Sequence, residues 1–209
     1  MRSDKPKIVL VGAGGHARSC IDVIEKLGAF NMLGLVGTLD ELHSSVLGYK
    51  VIGTDDDLLS LFRRSNHAII TVGQIGKPLA RQRIYELLCS IGFTLPVIIS
   101  PLAYVSSHAR LGPGTIVMHG AIVNAGAVVG ANCIINSNAL VEHDVTVGNH
   151  CHISTGAILN GHVQIGDGSF VGSGASIKQG IIVGDGCTIG MGLCLRFDLT
   201  PLSVYIGRK

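Results

Sequence analysis

Tryptophan is absent from this 209-residue sequence, and only 14% of its residues are charged, against roughly 25% in an average globular domain. Basic residues never run together beyond Arg63-Arg64, and the formal net charge is +2. A nucleic-acid-binding surface needs a denser basic patch, so no nucleic-acid partner is expected. No C-x-x-C occurs among the six cysteines, which removes the usual zinc and redox motifs. The N-terminal MRSDKPKIVLVGAGG holds only a short apolar run before its glycines. That is too short for a signal-peptide core or a membrane span. The expectation is a soluble, cytoplasmic protein with no membrane partner.

What is present is apolar sequence (47%) and glycine (29 residues), ample for a core and arranged by two different rules. The first half alternates strand and helix patterns. Residues 8–11 read as a strand that ends at glycines. Residues 16–27 carry helical spacing (Cys20, Ile21, Ile24, Leu27) and stop at Gly28. Strands are expected over 33–36, 68–72 and 95–99, and helices over 55–62 and 79–91. This alternation predicts a small parallel sheet flanked by helices.

From Val105 to Leu195 every sixth residue is aliphatic, sixteen in succession, and all but Leu111, Leu159 and Leu195 are β-branched. This is the hexapeptide period of a parallel β-helix. Three hexads make one triangular coil, so equivalent positions stack eighteen residues apart. Sixteen hexads give about five coils at the roughly 4.8 Å inter-strand spacing. Glycine or asparagine follows the aliphatic residue at Gly112, Asn124, Gly130, Asn136 and many later repeats, where a tight corner is expected to need unusual backbone angles. Cys133, Cys151 and Cys187 share one column with Thr115 and Ser169, and are expected to fill the core.

Against so plain a scaffold, departures carry the information. Glu142, His143 and Asp144 replace a glycine-led corner, and His152 follows nine residues later. Nine residues is half a coil, so spacing does not bring the two histidines together in one chain. One reading is acid–base chemistry: a histidine titrates near neutrality and a neighbouring carboxylate fixes its tautomer. A second is a set of solvated corner residues. A third is a metal site from His143, His150, His152 and His162, although their spacing matches no usual ligand pattern.

Val11 to Ala17 follows a strand and opens a helix, with Gly12, Gly14 and Ala17 fitting G-x-G-x-x-A. Backbone N–H groups there can approach a phosphate. Asp40 lies after the second strand, where an acid can meet a ribose. The turn suits NAD, a mononucleotide or a purely structural role. The short half-domain and the His16 ring favour the nucleotide of a nucleotide sugar.

The GAGGHA start, the small α/β domain, and hexads bearing Glu142-His143-Asp144 and then Cys151-His152-Ile153-Ser154 together resemble one family across almost the whole chain. It is the bacterial sugar O-acyltransferase family of the sialic acid O-acetyltransferase type, which includes nucleotide-linked 4-amino-sugar N-acetyltransferases. The resemblance implies a Rossmann-like α/β domain over 1–101 that binds the nucleotide sugar. It implies a left-handed β-helix over 102–209 that binds acetyl-CoA, and a homotrimer with active sites between neighbouring β-helices. By the same resemblance His143 is the general base, and Asp144 and Glu142 are its polarising carboxylates. Asn136 positions the acceptor, His152 contacts acetyl-CoA, and the Gly161 N–H binds the thioester oxyanion. Gly12, Gly14, Gly15 and His16 hold phosphate and base. Asp40, Gly73, Gln74 and Arg81 line the rest of that pocket, Arg81 being alternatively an ordinary exposed helix residue. The ending Val204 to Lys209 departs from the family's G-x-P-A-K, in a stretch that often borders the CoA nucleotide.

The implied activity is acetyl-CoA-dependent N-acetylation, without a metal, of a nucleotide-linked 4-amino-4,6-dideoxysugar in surface glycan assembly. The alternatives are O-acetylation of a sialic acid or related sugar, a non-catalytic nucleotide-sugar-binding protein and, more distantly, an NAD-dependent oxidoreductase.

Overall fold

The computed structural model describes residues 5–207, so Arg208 and Lys209 of the divergent ending lie outside the described residues, as do the first four of the N-terminal stretch. The chain forms two compact units. One runs to Gly73 and resumes over Ala80–Pro96; the other takes Gln74–Leu79 and the chain from Val97 onward.

The first unit is a five-stranded sheet with three helices: β1 (Lys7–Val11), α1 (Gly15–Leu27), β2 (Asn31–Val36), β3 (Ser45–Val46), β4 (Tyr49–Gly53), α2 (Leu58–Phe62), β5 (His67–Ile70) and α3 (Leu79–Ile91). The strand order is β3-β4-β2-β1-β5. All neighbours are parallel except β3 and β4, an edge hairpin absent from the sequence reading. Helix α1 buries Ala17, Cys20, Ile21, Val23 and Ile24 and stops where Gly28 turns left-handed (φ 63°). The strand expected over 95–99 shortens to Ile98–Ile99 and pairs with Ile116–Val117. It therefore opens the β-helix and adds nothing to the α/β sheet.

The second unit is a left-handed parallel β-helix. Its two-residue strands make three faces. The first runs from Tyr104–Val105 to Cys194–Leu195, six strands at eighteen-residue steps. The second runs from Arg110–Leu111 to Ile182–Val183, five strands. The third begins at Ile98–Ile99 and ends at Val204–Tyr205, seven strands. Within each strand the second residue points inward. From Val117 to Leu195 every such residue is buried, each worth about 1.5–3 kcal/mol relative to exposure. Cys133, Cys151 and Cys187 are buried in their column. Each makes a further bond there: Cys133 N–H donates to Thr115 Oγ1 at 3.0 Å, Cys151 N–H to Cys133 Sγ at 3.4 Å, and Cys187 N–H to Ser169 Oγ at 3.0 Å.

The corners differ from expectation. The glycines directly after the aliphatic residues do not adopt left-handed angles. They are needed because the next coil occupies the place of a side chain: a Cβ on Gly112 would lie 2.6 Å from Ala131 N, and one on Gly172 2.6 Å from Met191 N. The left-handed residue comes two positions later, at every sixth residue from Gly114 to Gly192. Five of those fourteen positions hold Asn132, Asn138, Asp144, His150 and His162 in place of glycine. The last coil is short. Leu199 bridges Val183 and Tyr205 pairs with Ile189, each sixteen residues on instead of eighteen. Among the described residues no helix is long and apolar enough to cross a membrane.

Candidate active site

Glu142, His143 and Asp144 occupy one corner, between the strands Leu140–Val141 and Thr146–Val147. The eighteen-residue period sets their neighbours. His143 stacks between Ala125 and Gly161, and Asp144 between Gly126 and His162: the Asp144 N–H donates to Ala125 O at 3.2 Å, and the His162 N–H to His143 O at 3.1 Å. Two of these neighbours are glycines that leave room. A Cβ on Gly161 would lie 2.7 Å from His143 Nε2 and Cε1, and one on Gly126 2.4 Å from Asp144 Oδ1.

His143 Nδ1 lies 2.9 Å from Asp144 Oδ2. An ionised carboxylate only accepts, so this bond places the ring proton on Nδ1 and leaves the Nε2 lone pair directed outward over Gly161. Glu142 has a different job. Its Oε2 accepts from Asn124 Nδ2 at 3.0 Å and from the His143 N–H at 3.2 Å, so it fixes the backbone beneath the ring. His162 stands edge-on to His143, with centroids 5.2 Å apart and planes at 89°. Its Nε2 is 3.8 Å from Asp144 Oδ2. The side chains of His143, Asp144 and His162 are each about half exposed, at 53%, 52% and 58%. No hydrogen bond to the Gly161 N–H occurs among the described residues.

The other β-helix candidates sit elsewhere. His152 is on the third face, 6% exposed. Its Nδ1 donates to Gln74 O at 2.5 Å, its Nε2 faces Asn136 Nδ2 at 3.0 Å, and Phe170 lies against its ring. Both ring nitrogens are thus engaged within the chain, and Asn136 is tied to His152 and not to the His143 corner. His150 bonds Asn132 Nδ2 at 2.9 Å. Of the four histidines weighed as a metal set, the fold brings together His143 and His162, with Asp144 between them. The period would have found this pair, since Asp144 plus eighteen is His162.

In the α/β unit, the Gly12–Ala17 turn leaves the carboxyl end of β1. That strand is flanked by β2 on one side and β5 on the other, the switch point where open α/β sheets bind ligands. Gly12 (φ 123°) is packed on β5's extension, where a Cβ would lie 2.6 Å from Val72 N. Gly14 caps α1 with no side-chain hydrogen bond, and the first helical turn contains no acid. Among the described residues, Gly14 and Gly15 are the only glycines that need no left-handed angle and whose missing side chain would touch nothing within 4 Å. Packing within the fold does not require glycine there, and the open turn leaves room for an anion to approach the helix N–H groups. His16 borders this turn and lies against Gly73, whose Cβ would meet His16 Cβ at 3.3 Å. Asp40 is exposed on a short 3₁₀ turn capped by Thr38 and Glu41.

Gln74 and Arg81 are placed differently from the sequence reading. Gln74 is buried against the β-helix, donating to His150 O at 3.2 Å. Arg81 is neither an exposed helix residue nor open to a ligand. It is 1% exposed and donates to Ile70 O at 3.1 Å and Val72 O at 2.6 Å, clamping the end of β5. Burial pushes the nearby Cys20 thiol up to about 12, with the Arg81 charge partly opposing it.

Residues 7–88 match the PglD N-terminal domain, residues 126–161 the bacterial transferase hexapeptide repeats, and residues 162–196 the hexapeptide repeat of succinyl-transferase. Among curated protein sequences none matches the chain. Among solved structures, the acetyltransferase domain of PglB from Neisseria gonorrhoeae FA1090 in complex with acetyl coenzyme A is 36% identical. The match covers 97% of each chain with a TM-score of 0.89. PerB from Caulobacter crescentus, in complex with CoA and GDP-perosamine, is 33% identical over 96% of this chain and 94% of its own, with a TM-score of 0.89. WeeI from Acinetobacter baumannii AYE, at 19% identity and a TM-score of 0.70, shares the fold.

Proposed function

The chain belongs to the left-handed β-helix acetyltransferase family that joins a PglD N-terminal domain to hexapeptide repeats, and from that premise we infer the reaction it performs. It is an acetyl-CoA-dependent N-acetyltransferase acting on the amino group of a nucleotide-linked sugar. The perosamine relative bound to CoA and GDP-perosamine carries both ligand classes onto one homologous chain. The finer reading is a 4-amino-4,6-dideoxysugar acceptor, used in surface glycan assembly.

The observation that carries the mechanism is the His143–Asp144 pair above Gly161. The neutral amine attacks the thioester carbonyl. His143 Nε2 takes the proton released from the new ammonium, while Asp144 stabilises the imidazolium at Nδ1. The Gly161 N–H supports the oxyanion. Collapse breaks the C–S bond, and the proton passes from His143 to the departing thiolate. Glu142 holds the corner from below. No residue in this sequence of steps calls for a metal.

The nucleotide sits on the Gly12–His16 turn, with Gly73 and Asp40 nearby, and Gln74 and Arg81 hold the surrounding backbone. The buried His152 and the half-buried Asn136 form a hydrogen-bonded pair that shapes the third face; a contact to acetyl-CoA runs through that face as a whole. The ordinary assembly is a homotrimer. Its support is the outer side of the first face, which exposes Tyr104, Ile122 and Ile158 in one line. A cytoplasmic location is proposed with it, supported by the cytoplasmic supply of both proposed co-substrates.

The test is thiol release from acetyl-CoA with UDP-, GDP- and dTDP-linked 4-amino-sugars, with free sialic acid alongside, for wild type and His143→Asn. Release with one amino-sugar, reduced about 10²-fold or more in the variant, is the expected outcome. Release with sialic acid alone moves the acceptor to a hydroxyl. Wild-type activity in a folded variant removes His143 from the mechanism.

A further inference from the structure

We propose that the corner binds one divalent transition-metal ion, Zn²⁺ being the best fit, through His143 Nδ1, Asp144 Oδ2 and His162 Nε2, and that the bound ion switches the enzyme off. The inhibitory half rests on His143 being the base; the binding half does not.

Three donors of the right kind lie within 4.8 Å of one another. The Oδ2 of Asp144 is 2.9 Å from His143 Nδ1 and 3.8 Å from His162 Nε2. Tetrahedral Zn²⁺ with bonds of roughly 2.0–2.2 Å needs donors about 3.3 Å apart. The two observed separations bracket that value. The edge-on ring of His162 closes the set, and all three side chains are half exposed, so small side-chain rotations bring them onto one ion. Two imidazoles and a carboxylate leave a fourth position for water and suit zinc over magnesium or calcium, which prefer all-oxygen ligands. The backbone contributes as well. Asp144 and His162 are left-handed residues at the same corner, one coil apart, so their spacing is set by the helix itself.

The consequence for catalysis follows from the ring. In the active form the proton is on Nδ1 and the Nε2 lone pair is the base. A metal on Nδ1 displaces that proton's bond to Asp144. The neutral ring then carries its proton on Nε2, and the lone pair that accepts from the amine is gone. Inhibition therefore falls on kcat and leaves the KM for acetyl-CoA unchanged.

The experiment uses the full chain without a polyhistidine tag. Zn²⁺ is titrated in competition with a chromogenic chelator, and Co²⁺ is added separately for its visible spectrum. The same samples are assayed for acetyl transfer. One ion per chain is expected, with a tetrahedral Co²⁺ spectrum lacking a thiolate charge-transfer band. His162→Gln should weaken binding by more than the roughly 10–100-fold typical of losing an outer-shell partner. His150→Gln and Cys194→Ser should leave it unchanged. Binding that His162→Gln does not alter, or that follows Cys194, overturns the site. Binding at the site with full turnover overturns the inhibitory half and counts against His143 as base. Binding as expected in a protein that acetylates none of the amino-sugars supports the site while refuting the proposed acceptors.

Discussion

Glycine does opposite work in the two units. In the β-helix, Gly112 and Gly172 exist because the backbone of the next coil fills the space of a side chain. In the turn after β1, Gly14 and Gly15 face nothing at all. A crowded glycine reports architecture. An uncrowded one with ordinary backbone angles is not explained by packing, and under the proposed function it makes room for the nucleotide. Gly161 belongs to neither group: it lies in the β-helix, yet what crowds it is the movable ring of His143.

That contrast can be broken by adding one methyl group at each kind of site. Gly161→Ala has the largest expected effect, about 10–100-fold in turnover. The exposed His143 ring swings aside and takes Nε2 from its place, and a small misplacement at the reacting centre is costly. Its thermal midpoint should stay close to wild type, because the neighbour that yields is a side chain. Gly172→Ala reverses the pattern. The neighbour is Met191 N, which cannot yield alone, so denaturant unfolding should report a loss of about 1–3 kcal/mol. Asp144→Gly sharpens the comparison from the other direction. It relieves a left-handed non-glycine residue, a strain of order 1 kcal/mol, and should leave stability intact while turnover falls about tenfold. Gly14→Ala has the smallest structural effect, within about 0.5 kcal/mol by calorimetry. Nucleotide-sugar affinity should nevertheless weaken. A Gly161→Ala enzyme with full activity, or a Gly172→Ala protein as stable as wild type, would collapse the distinction.

The β-helix was legible in the sequence because a period of six repeats the same physical demand at every coil. Sixteen inward positions averaged away any local exception. The corner rule was harder to see. Two columns use small residues for different reasons, and only the backbone angles separate crowding at Gly112 from left-handedness at Gly114. In the α/β unit no period exists. Helix α3 matched its expected limits because its apolar spacing and the following glycine agreed, whereas the hairpin over β3 and β4 opens on a strand of two residues, too short to carry an alternation. Arg81 was misread for a related reason. A helix residue's burial depends on what lies across from it, here the carbonyls of Ile70 and Val72. At the site, Glu142-His143-Asp144 stood out as a break in the pattern. His162 did not, since its partner is eighteen residues away and it looks like one more polar corner.

The shortened last coil bears on assembly. A stack of identical coils ends in an edge whose N–H and C=O groups invite another copy to continue it. Here the edge is spoiled from within. Asp198 Oδ1 accepts the Ile182 N–H at 2.8 Å, where the next coil's carbonyl would have been. Phe197 turns edge-on to Tyr205, and the two missing residues throw the following strand out of step. A second molecule laid on this end finds no register to copy. The short coil therefore opposes a continuation of the stack in register at this point.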